Sequence, residues 1–297
     1  MTKKMKTAKR VHQYNTAFQC PICQSAMEVI DPKSFVCSQN HTFDFAKQGY
    51  INMLTHQVTS PYSKELFEAR QRIITNSSLY TMLHDTIAHV INQQPRTSAA
   101  SLMVADLGCG EGSHLQAILD KCMQPKITGV GIDISKEGII MAAKNHDTPT
   151  WLVADLAKSP LADKACSFIL NILSPANYRE FKRILTPGGL VIKVVPGPNY
   201  LRELREMLSQ KTKHHNTETV DLFKRHFDLL EVIRVQDTGE LHQTALEDLV
   251  RMTPLTWTSN QAQIKQFYRQ DAAAITIDLE ILIGTNALTR NYIGGKA

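Results

Sequence analysis

The sequence predicts an α/β fold, a doubly wound parallel sheet preceded by a small metal-stapled module. Three observations predict it. From residue 102 onward, short apolar runs alternate with helical stretches in β-α-β order. The first of those runs ends in Asp106-Leu107-Gly108-Cys109-Gly110-Glu111-Gly112, a glycine-rich turn into a helix. Ahead of them, Cys20, Cys23, Cys37 and His41 are spaced C-x2-C-x13-C-x3-H. With 297 residues, 43% of them hydrophobic, the chain has room for one large core or two unequal ones. No apolar run is long enough to span a membrane. The basic start, MTKKMKTAKR, is not followed by an apolar stretch, so no secretory signal is expected and the chain is expected to be cytoplasmic.

Residues 1–14 are expected to be a basic tail. The first ten hold four Lys, one Arg and no acid, which accounts for the whole net charge of +5. On its own such a segment reads as a disordered, solubilising arm. With a nucleic-acid partner it would touch phosphates.

Residues 15–55 form the predicted zinc module. Cys20-Pro-Ile-Cys23 sets two thiols on one tight turn, and the run 35–37 is a plausible strand that delivers Cys37. Asn40 can turn the chain so that His41 follows, and Asp31-Pro32-Lys33 makes the hairpin between the two pairs. Three thiolates and one imidazole make a closed set with no open position for a reacting water, so this zinc would be structural. A segment this small cannot bury enough core to fold alone, and the metal supplies the missing free energy. A lone C-x2-C also occurs in redox sites, but the paired spacing favours zinc. His12 and His56 lack matching spacing. Cys109, Cys122 and Cys166 are scattered, which suits small buried hydrophobes better than a disulfide framework.

Residues 56–101 are expected to hold a linker and helices. The stretch 57–63 is polar and broken by Pro61, Ser63 is placed to cap a helix over 64–75, and 76–78 caps a second. In that second helix Leu79, Met82, Leu83, Ile87, Val90 and Ile91 share one face. A further linker, containing Pro95, is expected at 93–101.

Residues 102–297 make the large domain. Strands are expected at 102–106, 127–133, 151–155, 166–173 and 190–196, with helices such as 136–145 and 177–185 between them. Thr186-Pro-Gly-Gly makes a tight turn into the fifth strand. Beyond Tyr200 the pattern gives a helix at 201–208, a basic loop at 211–216, strands at 229–235 and 275–283, and a helix at 245–252.

Gly108, Gly110 and Gly112 let the backbone turn sharply and meet a ligand with no Cβ in the way. Alone, that pattern is shared by many nucleotide-binding loops. Asp133 closes the second strand, where an acid can accept both hydroxyls of a ribose. Asp155 closes the third, placed to accept from an adenine amino group. The alternative is that either aspartate only caps a helix. Asp106 and Glu111 add negative charge, which suits a sulfonium and an ammonium and repels a pyrophosphate. The ligand implied is S-adenosylmethionine rather than a nicotinamide dinucleotide.

Together these features resemble class I Rossmann-like methyltransferases. The N-terminal cysteines and histidine, followed by Phe43-Asp44-Phe45-Ala46-Lys47-Gln48-Gly49-Tyr50-Ile51-Asn52-Met53-Leu54, look like the bacterial 23S rRNA guanine-N1 methyltransferases. The likeness continues through Asp106–Gly112, Ser174-Pro175-Ala176-Asn177-Tyr178, Pro196-Gly197-Pro198 and Met252-Thr253-Pro254. It spans nearly the whole chain apart from the basic start. It implies methylation of one guanine N1 in a hairpin loop of 23S rRNA domain II, near the peptide exit tunnel, on free rRNA or a large-subunit precursor. It also implies a homodimer whose zinc modules help to form an RNA-binding cleft. The Ser174–Tyr178 run resembles the Gram-positive branch linked to resistance to tylosin-type macrolides. Cofactor contacts carry over onto Tyr80, His114, Leu115 and Tyr200, although the family often has His where this chain has Tyr200.

On this basis the segment 174–177 is expected to line the guanine pocket, with Asn177 either reading the base edge or capping the next helix. Phe43, Phe45 and Tyr50 are candidates to stack bases or to form the module's own core, and Lys33 and Lys47 to meet phosphates. No general base is evident. Two rivals share parts of the pattern. A methyltransferase acting on a protein or small molecule would need the glycine loop but not the zinc module. A non-catalytic zinc RNA-binding protein would need the module but not the cofactor strand ends.

Overall fold

The computed structural model describes residues 1–58, 60–94, 102–208, 216–257 and 261–286. Most of the linker expected at 93–101, and the basic loop at 211–216 apart from Asn216, lie outside them.

The chain opens on a helix, α1 (Lys3–Gln13), which corrects the expectation of a basic tail. The Thr2 hydroxyl caps it by accepting from the Met5 N–H, and Thr7, Ala8 and Val11 are buried. Three of its five cations, Lys3, Lys6 and Arg10, are engaged with partners. Lys3 donates to the Ala143 carbonyl and pairs with Asp147 at 2.7 Å, while Arg10 donates to the carbonyls of Asp147 and Pro149. The physical reason is a helix that ends at Asn145. Its last carbonyls have no intrahelical donor and carry the negative end of the helix dipole, so a basic helix docks there.

The metal-ligand segment then forms β1 (Met27–Ile30), β2 (Ser34–Cys37) and β3 (Thr42–Asp44), a small antiparallel sheet with its hairpin at Asp31–Lys33 as expected. The next strand, β4 (Tyr50–Asn52), leaves that sheet and pairs in parallel with residues 151–153 of the large one.

Next come α2 (Lys64–Asn76) and α3 (Thr81–Asn92). Ser63 caps α2 by accepting from the Leu66 N–H, as expected. The cap expected at 76–78 does not form. Instead the Ser77 hydroxyl donates back to the Ile73 carbonyl and closes α2, and α3 starts after Tyr80 with no side-chain cap. Leu83, Ile87, Val90 and Ile91 are buried along one face of α3, whereas Met82 is exposed.

The large domain runs β5 (Leu102–Leu107), α4 (Ser113–Asp120), β6 (Ile127–Asp133), α5 (Lys136–Asn145), β7 (Thr150–Val153), β8 (Cys166–Ile172), α6 (Tyr178–Ile184) and β9 (Leu185–Pro196). It continues with α7 (Arg202–Met207), α8 (Thr217–His226), β10 (Asp228–His242), α9 (Gln243–Met252), α10 (Gln261–Tyr268) and β11 (Ala272–Thr285). The sheet order is β10-β11-β9-β8-β5-β6-β7-β4, parallel from β4 to β9, with β11 and β10 antiparallel. The chain winds outward from β5 in one direction and then from β8 in the other. The switch point therefore lies between β5 and β8, where such sheets bind ligands beyond the carboxyl ends of their strands.

One face of the sheet is covered by residues of α3, α4, α5, α7 and α9. The other is covered by α6, α8 and the zinc segment itself. Phe18, Phe35 and Phe45 share one apolar core with Met103, Ala105 and Leu107 of β5, Val130 and Ile132 of β6, and Leu152 of β7. The small sheet thus occupies a place that a helix takes elsewhere in doubly wound folds. Phe43, Phe45 and Tyr50 are all buried, so none is free to stack on a base; Phe43 and Phe45 lie in the core that contains the zinc segment, whereas Tyr50 packs in the core on the other face of the large sheet.

Candidate active site and metal centre

Cys20, Cys23, Cys37 and His41 converge, with their Sγ and ring-nitrogen atoms all within 4.8 Å of one another. Two similar turns bring them together. Gln24 and Asn40 adopt φ of 61° and 63°, and their N–H groups donate to the carbonyls of Cys20 and Cys37. Cys37 Sγ lies 3.3 Å from His41 Nδ1, and Cys23 Sγ lies 3.6 Å from Cys37 Sγ. All six cysteines are free thiols. A three-sulfur, one-nitrogen set on two turns fits a structural zinc, which would cross-link β2 to the first turn. His12 and His56 stand apart from this cluster.

The glycine loop follows β5 at the switch point. Gly108, Gly110 and Gly112 have φ of +88°, +58° and +83°, so each uses a conformation that side chains disfavour. A Cβ on Gly108 would also come within 2.0 Å of Ser174 Oγ, because the loop after β5 touches the loop after β8. Asp133 holds the glycine loop in place. Its Oδ2 accepts from the Gly110 N–H and its Oδ1 from the Ser135 N–H, both at 2.8 Å. Each oxygen keeps a further lone pair for a ribose hydroxyl. Asp155 accepts from the Ala157 N–H at 2.8 Å and so does cap the short turn at Leu156–Lys158. It remains partly exposed at the carboxyl edge of the sheet.

Acidic groups line the floor. Asp106 is buried and its Oδ1 has no hydrogen-bond partner. Burial pushes its carboxyl up to about 7; nearby Arg70 opposes the rise, and Asp133 and Glu111 add to it. Glu111 is buried as well. Its Oε2 accepts from the Ser113 N–H at 2.9 Å, while Oε1 has no hydrogen-bond partner. Unpaired buried acceptors are costly unless a ligand supplies donors, so these atoms fit a cation such as the ammonium of S-adenosylmethionine.

The residues suggested by resemblance come together beside this floor. Tyr80 and Tyr200 share a hydrogen bond between their hydroxyls at 2.9 Å, and the Tyr80 ring stands edge-on to His114, 5.1 Å between centroids. His114 Nδ1 lies 2.8 Å from His84 Nε2. Burial holds His84 down to about 4 and His114 well below its ordinary range, so near neutral pH one neutral ring donates to the other. The Leu115 side chain is fully buried in the core, which leaves only its backbone to face a ligand.

The loop after β8 is pinned from below. Lys193 of β9 is buried, and its Nζ donates to Asn171 Oδ1 at 2.6 Å and to the Ser174 carbonyl at 3.0 Å. Asn171 Nδ2 donates to the carbonyls of Leu107 and Pro175. One network therefore joins the ends of β5 and β8 to the segment 174–177. Burial alone lowers the Lys193 pKa to about 8. Asn177 Oδ1 accepts from the Glu180 N–H and caps α6, which is the capping alternative for that residue.

Three residues of this region were missed from sequence: Arg70, Asn171 and Lys193. Two carried a signal. Lys193 interrupts an apolar strand, Leu190-Val-Ile-Lys-Val-Val195. Arg70 sits at helical spacing within the stripe Leu66, Phe67, Ile73 and Ile74, all buried. A cation amid an apolar stripe asks for a partner.

The zinc-ribbon family model described as "RlmA, N-terminal" matches residues 18–59, and that described as "Methyltransferase domain" matches residues 104–189. The chain is 40% identical over 272 residues to YxjB of Bacillus subtilis (strain 168), whose name assigns it provisionally as a 23S rRNA (guanine-N(1)-)-methyltransferase; the match covers 90% of this chain and 96% of that one. It is 30% identical over 242 residues to the 23S rRNA (guanine(748)-N(1))-methyltransferase of Streptomyces fradiae, covering 80% of this chain and 85% of that one.

Proposed function

The chain belongs to the family of 23S rRNA (guanine-N1)-methyltransferases, and on that premise we propose its finer target: N1 of one guanine in a hairpin loop of domain II. It is an S-adenosylmethionine-dependent rRNA methyltransferase with a structural zinc. The S. fradiae relative's name puts its own target at guanine 748, and the proposed target is the equivalent loop position. The single observation that supports the site assignment is the contact of the glycine loop with the Ser174 loop, which would bring a bound cofactor next to a base held by that loop.

S-adenosylmethionine supplies a methyl group on a sulfonium. The protein's own residues do the rest. Asp106 and Glu111 offer acceptors to the cofactor's positive charge, Asp133 to its ribose and Asp155 to its adenine. Tyr80, His114, Tyr200 and the Leu115 backbone close over the methionine end. The segment 174–177 faces the target base. That segment would hold guanine N1 in line with the electrophilic methyl carbon of a bound cofactor while the N1 proton is given up to solvent. Holding N1 in that line is where positioning lowers the barrier. A loop guanine is cheaper to splay out than a paired one.

Lys193→Met tests the positioning. The variant is expected to melt close to the wild-type temperature or slightly below it, because relief from the costly buried ammonium is offset by the loss of the donor to Asn171 Oδ1 and the Ser174 carbonyl. Its single-turnover methyl transfer should fall by roughly tenfold or more, as the loop loses its pin. Unchanged transfer would show that the loop holds its place without Lys193.

Lys33, at the hairpin tip, and Lys47 are exposed on the zinc module and suit phosphate contacts. No helix among the described residues is long and apolar enough to cross a membrane. A homodimer, action on free rRNA or a large-subunit precursor, a cytoplasmic location and a role in tylosin-type macrolide resistance belong to the same proposal and rest on the family resemblance. The deciding experiment is transfer of labelled methyl to a 23S domain II transcript, followed by reverse transcription. Methylation at N1 blocks Watson–Crick pairing, so a single new stop at one loop guanine is expected. Label without a stop would assign another atom. Label only on protein or small molecules would replace the RNA substrate altogether.

A further inference from the structure

Arg70 reaches from α2 into the glycine loop. A Cβ on Gly110 would come 2.3 Å from its Nη1, so the guanidinium lies directly against the loop. It is the cation that Asp106, Glu111, Asp133, Tyr80 and His114 all sense. Yet it is held loosely. Its ion pair is with Glu111, Nε to Oε1 at 3.5 Å, and among the described residues it donates no hydrogen bond. Glu111 Oε1 and Asp106 Oδ1 are themselves without hydrogen-bond partners.

The cleft therefore holds unspent acceptors and unspent donors side by side, in a site that is largely out of water. Direct Arg–carboxylate bonds would satisfy both, but the side chains stop short of them. A ligand group that satisfies both must carry a cation and an anion a few ångström apart. The α-amino acid end of a methionine is such a group. Its ammonium matches the two acids and its carboxylate matches the guanidinium, whose planar fork can donate two parallel hydrogen bonds.

We propose that Arg70 binds the α-carboxylate of the cofactor's amino-acid end, opposite Asp106 and Glu111, and so sets the cofactor's depth on the glycine loop. The inference rests on the reading that this cleft takes S-adenosylmethionine. It also explains the glycine at position 110. Guanidinium and ligand both approach the backbone there, and any side chain would displace the first.

The test is equilibrium binding of S-adenosylhomocysteine and of its decarboxylated analogue, measured calorimetrically on the full chain. Neither compound can transfer a methyl group, so activity plays no part. Wild-type protein is expected to prefer the carboxylate compound by roughly 10- to 100-fold, the range of a charge-assisted hydrogen-bonded pair. Arg70→Met should bind both compounds equally, at the level of the decarboxylated one. Arg70→Lys should restore part of the preference through a single-point contact, and it serves as the readout if Arg70→Met does not fold. A wild-type preference that survives intact in Arg70→Met overturns the proposal, as does a wild type that binds both compounds equally well. If neither compound binds the wild type, it is the cofactor reading that fails.

Discussion

Cys37→Ser is expected to lose the zinc and to unfold more than the knuckle that holds it. Structural zinc in small modules is worth on the order of 10 kcal/mol, comparable to the whole stability of a typical domain. Here the module's core is continuous with one face of the large sheet: Phe18, Phe35 and Phe45 cover Met103, Ala105, Val130 and Ile132. Losing the module strips that face. The expected observations are a metal content near zero, strong binding of a hydrophobic dye, loss of near-ultraviolet dichroism and a melting temperature lower by roughly 10 °C or more. Chelation of the wild type should give the same picture. A metal-free variant with unchanged melting would mean that the apolar contacts hold the module without zinc.

Asp106→Asn should move stability and binding in opposite directions. A carboxyl whose folded pKa is raised to about 7 keeps its proton in the native state where the unfolded chain has already shed it. Between about pH 4 and pH 7 the native state therefore binds more protons, and stability declines as pH rises through that window. Above about pH 7 the empty protein carries the full cost of a buried carboxylate. The neutral amide of the variant removes that cost, so the empty variant is expected to melt higher than the wild type near pH 8. In the proposed site, cofactor binding draws on the charge that was removed. S-adenosylmethionine affinity should drop by roughly 30-fold or more near pH 8. In the wild type, affinity should rise between about pH 6 and pH 8, with proton release on binding, and that dependence should vanish in the variant. Calorimetric titrations in buffers of different ionisation enthalpy read both effects. Proton release that persists in the variant would assign it to Glu111 or Asp133 instead.

The parts of this molecule that were legible in sequence are those whose chemistry is local. The ends of β5 and β6 were marked by apolar runs closed by Asp106 and Asp133, and the metal turns by their paired spacing. The unread parts depend on distant partners. β4 has three residues, and nothing in Tyr50-Ile51-Asn52 announces a parallel neighbour a hundred positions away, at Trp151–Val153. The charge of α1 reads as solvation until the carbonyls after Met141 are seen to face it. A strand is expected only at 229–235, but β10 runs on to His242, with Asp237, Thr238 and Gly239 paired to β11. In the candidate site, the aspartates and glycines were visible as a pattern. Arg70 and Lys193 were hidden because helical and strand periodicity assign their positions to the core, and only the fold shows what they meet there.

β4 also has a mechanical consequence. The strand that ends the zinc segment is hydrogen-bonded into the same sheet that carries the glycine loop, and Met53 extends the pairing by donating to the Val153 carbonyl. The zinc segment and the glycine loop are thus tied to one sheet and one apolar core. If the zinc segment meets the RNA's phosphates as proposed, a fixed span would select by distance: the base modified would be the one the RNA's own fold places one span from that contact. Selectivity of that kind tolerates sequence changes in the loop and fails when a stem gains or loses a base pair.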